Sequence, residues 1–256
     1  MPVTDLPLLI DAAYASAKIA LKYWKTDQRV DTKDGGSPVS EADYAVDTYL
    51  RETLLAARPD YGWLSEETDD DKVRLGHDTV FVVDPIDGTR AFVGHESTWA
   101  HSIAVVQNGQ PTAGVVFLPA RDKIYSAALG QGARLNGAPI TAGTNQTLHG
   151  ATALCPKPSL DPQWWAKTPP KLERHFRPSL AYRFCLVAEG RFDIMLTLRD
   201  AWEWDIAAGT LIATEAGANV TDRNGAALNF NSDAAKSKGV FTANPTLHRA
   251  LLGQYL

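Results

Sequence analysis

Thr79-Val80-Phe81-Val82-Val83-Asp84-Pro85-Ile86-Asp87-Gly88-Thr89, or TVFVVDPIDGT, is the stretch on which the reading of the fold turns. Its first five residues are mostly β-branched or aromatic, a short apolar run that predicts a buried strand. Pro85 fixes φ and is expected to take the chain out of that strand. Gly88 allows a tight turn. Asp84 and Asp87 therefore meet at the strand's carboxyl end, beside amides that can face an anion. Hard cations such as Mg²⁺ take oxygen ligands, a few carboxylates with waters and phosphate oxygens. A bare DxxDG is more often a polar turn whose acids cap nearby amides. The preceding strand, the intervening Pro and the following Thr favour a site.

Working outward toward the N-terminus, YGWLSEET is a short apolar stretch ending in Glu66-Glu67. Before it, Ser40 and Asp43 have the spacing of a capping box for a helix running to about Ala57, stopped by Pro59. Leu6 to Trp24 carries one apolar stripe at helical spacing. In the other direction, residues 102–140 read as a meander of strands, with Asn136-Gly137 a hairpin turn. Residues 146–178 are rich in proline and resemble a lobe boundary. Beyond them SLAYRFCLVAEG predicts a helix, FDIMLTL a strand, WDIAAGTLIATEAGA a small-residue helix, VFTAN a strand and TLHRALLGQYL a helix. This alternation predicts an α/β lobe over 146–256 that supplies Asp205, joined to an α+β lobe over 1–145 that carries DPIDGT, the two forming one catalytic unit.

The 256 residues carry a net charge of −5 and no basic tract, which argues against binding a nucleic-acid polymer. The two cysteines form no CxxC, so neither a disulfide framework nor a thiolate metal site is expected, and a reducing cytoplasm is the default location. The N-terminus lacks the basic start and uninterrupted apolar run of a signal peptide. No stretch approaches the roughly 20 apolar residues of a membrane span.

Three further acids are candidates, each with an ordinary alternative. Glu66 could be half of a solvated charge pair with Glu67. Asp205, ahead of IAAGTLIATEAGA, suits an N-cap. Asp43 could be a first-turn acid of its helix. Arg183, on the SLAYRFC helix, could be a surface cation, and His101 a satisfied sheet residue. Among the aromatics Trp202 is the candidate for stacking near the site.

Taken together these elements resemble the inositol monophosphatase family of lithium-sensitive, magnesium-dependent phosphatases. The resemblance rests on Lys33-Asp34-Gly35 with Pro38-Val39-Ser40-Glu41-Ala42-Asp43, then Ser65-Glu66-Glu67, then DPIDGT, then Leu186-Val187-Ala188-Glu189-Gly190 with Asp193, then Trp204-Asp205-Ile206-Ala207-Ala208-Gly209. It implies a layered αβαβα sandwich and two or three Mg²⁺ ions. Glu66, Asp84 and the Ile86 carbonyl would hold one ion; Asp84, Asp87 and Asp205 would hold a second. Thr89, oriented by Asp43, would position and deprotonate the attacking water, with Glu66 also serving the catalytic step. The amides of Gly88 and Thr89 would grip the phosphate. Ser65 stands where the family usually has Gly. Family members are often homodimers, and no segment here identifies an interface.

For the substrate, the inositol-specific branch has a ring-contacting Glu seven residues before the aspartate of its WD motif, and here that position is Leu198. FCLVAEGRFDI through EWD is similar to the bacterial 3′(2′),5′-bisphosphate nucleotidase branch, which tends to carry Lys where Arg183 stands. The resemblance thus implies a small phosphorylated metabolite, foremost 3′-phosphoadenosine 5′-phosphate cleaved to AMP and phosphate, with Arg183 on the second phosphate. Inositol 1-phosphate is the alternative.

Overall fold

The computed structural model describes residues 2–33, 35–166 and 168–255. Helix α1 (Pro2–Tyr23) leads into a small hairpin, β1 (Val30–Thr32) and β2 (Pro38–Ser40), and then into α2 (Glu41–Ala57). The capping box at the start of α2 forms as its spacing predicts, with Ser40 and Asp43 bonded reciprocally. Strands β3 (Gly62–Ser65) and β4 (Thr79–Asp87) follow, then the short α3 (Thr89–Val93) and the meander β5 (Ala100–Gln107), β6 (Gln110–Leu118), β7 (Lys123–Ala128), β8 (Ala133–Leu135) and β9 (Ala138–Ile140). These strands make a seven-stranded sheet in sequence order, antiparallel except for the β3–β4 pair.

The chain then builds a second sheet from β10 (Thr152–Leu154), β11 (Glu173–His175), helix α4 (Leu180–Ala188) and β12 (Ile194–Thr197). A minor strand β13 (Ala201–Trp202) runs into α5 (Glu203–Glu215), followed by β14 (Asn219–Thr221), β15 (Lys236–Ser237), β16 (Val240–Ala243) and α6 (Pro245–Leu252). The second sheet has five strands in the order β11-β10-β12-β16-β14, mixed parallel and antiparallel.

Alternation along β4 fixes the layers. Phe81 and Val83 pack with Leu9, Ala13, Val46 and Leu50 of α1 and α2. Val80 and Val82 face the opposite way, into a cluster with Tyr182, Phe184, Ile206 and Ile212 of α4 and α5. Leu154 and Met195 of the second sheet close that cluster from the far side, while Ile194, Leu196 and Phe241 pack against Leu247 and Leu251 of α6. The result is the expected αβαβα sandwich. The small residues of α5 are what permit it: a Cβ on Gly209 would sit 2.7 Å from the Phe184 ring.

One expectation needs correction. Pro85 does not end the strand, because β4 continues to Asp87. The β4–β5 register runs Asp84↔Ser102 and resumes at Asp87↔Ala100, so the proline sits in a bulge with one extra residue on β4. A bulge is where a residue without an N–H can be carried within a ladder. His101 Nδ1 bonds the Pro85 carbonyl there. No helix among the described residues is long and apolar enough to cross a membrane.

Candidate active site

The bulge in β4 re-aims its acids. Asp84 is 1% exposed and its Oδ1 accepts the Ile86 N–H at 2.9 Å. Glu66 arrives from the end of β3, where its N–H bonds the Val83 carbonyl at 3.2 Å. Ser65 donates to Asp47, which Thr68 also contacts at 2.8 Å, so the hydroxyl ties down the turn that aims Glu66. Asp205 lies in the first turn of α5; the cap position belongs to Trp202, so the N-cap alternative fails. Glu66, Asp84 and Asp205 each place a carboxylate oxygen so that all lie within 4.8 Å of one another.

Asp87 is not part of that triad. Its Oδ2 accepts the Ser179 hydroxyl at 2.7 Å and the Ala181 N–H at 2.6 Å, both from the start of α4. One carboxylate oxygen is thereby committed to the second half of the chain, while Asp87 still lines the pocket that holds the cluster. Burial raises the Asp87 carboxyl's pKa, opposed by these donors and by nearby Arg183.

Burial also pushes Asp84 well above the ordinary carboxylate range, and Glu66, Asp87 and Asp205 add repulsion. Asp205 is raised likewise, by burial and then by Asp87 and Glu66. Negative charge is costly here unless a cation offsets it. An all-oxygen donor set whose ionised form is disfavoured is one that a hard divalent cation satisfies, so the cluster can hold a metal ion.

Thr89 and Asp43 meet as the family resemblance implied. Thr89 Oγ1 lies 3.1 Å from Asp43 Oδ1 and 3.2 Å from the Ile86 carbonyl. Asp43 Oδ2 accepts from both Ser40 N and Ser40 Oγ, and burial lifts the fully buried carboxyl to about 6. Gly88 turns the chain between them at φ 101°, and a side chain there would press within 3.3 Å of the Thr98 carbonyl.

Arg183 is a correction to the surface-cation alternative. It is 3% exposed, with Nε donating to the Arg177 carbonyl at 2.6 Å and Nη2 to the Pro178 carbonyl at 3.2 Å. Its guanidinium lies 4.3 Å from the Phe176 ring centroid. Burial lowers its pKa to about 10, still charged at neutral pH. Arg183 does line the acidic pocket, a cavity of about 410 Å³ that also contains Glu66, Asp84, Asp87, Thr89 and Asp205. Trp202 does not line it; that ring stacks on Trp204 at 4.5 Å beneath Lys236. The aromatic in the pocket wall is Phe176.

Four features were not assigned from sequence. Lys33 Nζ bridges Glu66 at 2.9 Å and Glu67 at 2.7 Å, so the hairpin carrying it is pinned across the site. Burial opposes the Lys33 charge, but attraction to Glu66 and Glu67 outweighs it and raises the pKa. Ser179 holds Asp87. Arg90 and Arg199 join Arg183 on the pocket wall. Among these Lys33 stood in a quoted motif, with its neighbour Asp34 outside the described residues, and Ser179 opened the predicted SLAYRFCLVAEG helix without a role.

Comparison with known proteins agrees with this geometry. Residues 4–255 match the model of the inositol monophosphatase family. The chain is similar to the histidinol-phosphatase of Mycobacterium tuberculosis, 33% identical with 92% of this chain and 94% of that protein covered. It is also 33% identical to an inositol-1-monophosphatase of Rhizobium meliloti, with 86% of each covered. The solved IMPase of Thermotoga maritima superimposes with a TM-score of 0.85 at 27% identity, covering 98% of this chain and 96% of that one. These names span more than one substrate and none of the three is a bisphosphate nucleotidase. With a family model matched along nearly its whole length, the chain belongs to the inositol monophosphatase family.

Proposed function

We propose that the protein is a Mg²⁺-dependent phosphomonoesterase acting on a small metabolite that carries a second anionic group, foremost 3′-phosphoadenosine 5′-phosphate. The observation that carries this reading is the composition of one pocket, with a carboxylate cluster and three arginines, Arg90, Arg183 and Arg199, lining it together. The carboxylates suit two or three cations that take the reacting phosphate. The arginines lie outside that cluster, where a second phosphate needs neutralising, and a guanidinium fork suits phosphate oxygens.

Mg²⁺, when bound, acidifies water and stabilises charge on the attacking and leaving oxygens. The chain's own groups supply the rest. Glu66, Asp84 and Asp205, with Asp87 Oδ1 and the Ile86 carbonyl, are the ligands of this reading. Thr89 Oγ accepts a proton from the attacking water while its own proton passes to Asp43 Oδ1. Asp43 is poised for that by burial that lifts it to about 6. The Gly88 and Thr89 amides orient the phosphate.

A second reading is histidinol phosphate, favoured by the 33% identical relative of that activity and by Glu96 on the same pocket wall, which could meet a cationic leaving group. A phosphate-release panel decides between them, comparing 3′-phosphoadenosine 5′-phosphate, histidinol phosphate, inositol 1-phosphate and fructose 1,6-bisphosphate in Mg²⁺. The highest kcat/KM is expected for the bisphosphonucleoside. A clear preference for histidinol phosphate or inositol 1-phosphate overturns the second-anion reading while leaving the phosphatase intact.

A further inference from the structure

The acidic pocket shares Arg90, Phe176 and Arg199 with a second cavity of about 510 Å³. That volume falls within the range of small-ligand sites, about 300–1,000 Å³. Trp164, Leu198 and Arg223 complete the part of its wall that matters here. Two aromatic rings therefore line one cavity. Phe176 is 46% exposed, an unusual position for a large apolar ring, and the Arg183 guanidinium lies over it. Trp164 is half-buried.

Charge in this cavity is also one-sided. Arg90, Arg199 and Arg223 line it against a single acid, Asp200. Arg223 Nη1 is tied to the Leu198 carbonyl and Arg90 Nη2 to the Gly36 carbonyl at 3.2 Å. Arg199 makes no hydrogen bond or ion pair with another described residue, although it is close enough to influence Asp205 and Arg183. Partly exposed rings beside guanidinium groups form a surface suited to a flat π-system linked to an anion, which is the chemistry of a nucleotide. Leu198 contributes an apolar contact and no acid that would repel phosphate.

We propose that this second cavity is the subsite for the nucleobase of the substrate, which lies against Trp164 and Phe176 while its reacting phosphate sits at the Glu66–Asp84–Asp205 cluster. The inference rests on the bisphosphonucleoside reading above and adds to it where the base is recognised.

The test compares kcat/KM for adenosine 3′,5′-bisphosphate and for fructose 1,6-bisphosphate, which has no base, in wild type, Trp164→Leu and Trp164→Phe. Losing one stacking ring should lower the ratio of the two by about tenfold in Trp164→Leu, mostly through KM, and Trp164→Phe should restore much of it. AMP binding measured by calorimetry should weaken by a similar factor. Trp164 also packs on the cluster around Phe241, so Phe176→Leu, which removes the other ring at an exposed position, provides a second variant. It should lower the same ratio. Equal losses on both substrates, or an unchanged ratio in both variants, overturn the subsite alone. Failure of the wild type to hydrolyse adenosine 3′,5′-bisphosphate while cleaving other monoesters removes the nucleotide reading and the subsite with it.

Discussion

The Ser179 hydroxyl donates to Asp87 Oδ2 at 2.7 Å while accepting the Tyr182 N–H at 3.0 Å, so one side chain caps helix α4 and fixes an acid 92 residues away. Ser179→Ala should weaken Mg²⁺ binding by about tenfold, the lower end of the effect of an outer-shell partner. It should also lower stability by about 1 kcal/mol, the usual cost of a lost cap. Ser179→Thr keeps the hydroxyl and should recover both. Calorimetric Mg²⁺ titration with thermal melts provides the check, and unchanged Mg²⁺ affinity in Ser179→Ala denies Asp87 a part in the site.

Asp84 has opposite effects on function and on metal-free stability. Asp84→Asn should cut turnover by more than about 100-fold, beyond the 10–100-fold typical of outer-shell groups. The same change removes a buried charge that faces Glu66, Asp87 and Asp205. In metal-free protein it should therefore raise Tm at pH 8, where the raised carboxyl pKa values of the wild type cost stability as pH climbs through them. Added Mg²⁺ should stabilise the wild type far more than the variant. Near-normal turnover at saturating Mg²⁺ contradicts the role given to Asp84.

Arg183 and Arg199 separate two kinds of cation. Arg183→Ala should raise KM for 3′-phosphoadenosine 5′-phosphate by about 10- to 100-fold, the worth of a charge-assisted hydrogen bond. It also frees the Arg177 and Pro178 carbonyls, so some loss on inositol 1-phosphate is expected. Arg199→Ala breaks no hydrogen bond and should affect only the bisphosphate. Michaelis constants for both substrates in both variants test this, and equal losses on both in Arg199→Ala count against a second-anion role.

His101 is fully buried, and burial lowers its pKa to about 4. The unfolded chain binds a proton at about 6.5, whereas the native imidazole stays neutral until about pH 4. Its contribution is therefore fully present above pH 6.5 and is lost as pH falls toward 4, on the order of 3 kcal/mol in all. His101→Asn retains a donor toward the Pro85 carbonyl and should flatten the fall. Denaturant melts of wild type and variant between pH 7 and 4, at one Mg²⁺ concentration, isolate the difference. Parallel curves mean that His101 does not set the acid limit.

Local patterns in the sequence carried a good part of the site. Asp84 was legible from the strand and turn around it, whereas Glu66 and Asp205 each had an ordinary local alternative and were identified through the family resemblance; the structure brings a carboxylate oxygen of each within 4.8 Å. The Asp43–Thr89 contact was likewise expected. Pro85 was misjudged because the proline's missing N–H predicts a break, whereas a bulge in the β4–β5 ladder carries it. Arg183 read equally well as exposed, since helical spacing does not reveal that α4 is covered on both sides by α5 and the sheets.

What the sequence determined by itself was local: the TVFVV strand, the amphipathic helices and the paired acids of DPIDGT, while the layer order and the parts of Glu66 and Asp205 came through the family resemblance. Period-two and period-3.6 burial and the turn chemistry of DPIDGT are properties of neighbouring residues. Only the tertiary structure decided how the acids are aimed and what surrounds them. Lys33 reaches Glu66 across 33 residues, and Ser179 reaches Asp87 across 92. Arg199 and Phe176 enter the pocket wall from separate segments. Such contacts depend on how far apart the packed layers leave two chain segments, and no window of neighbouring residues contains that distance.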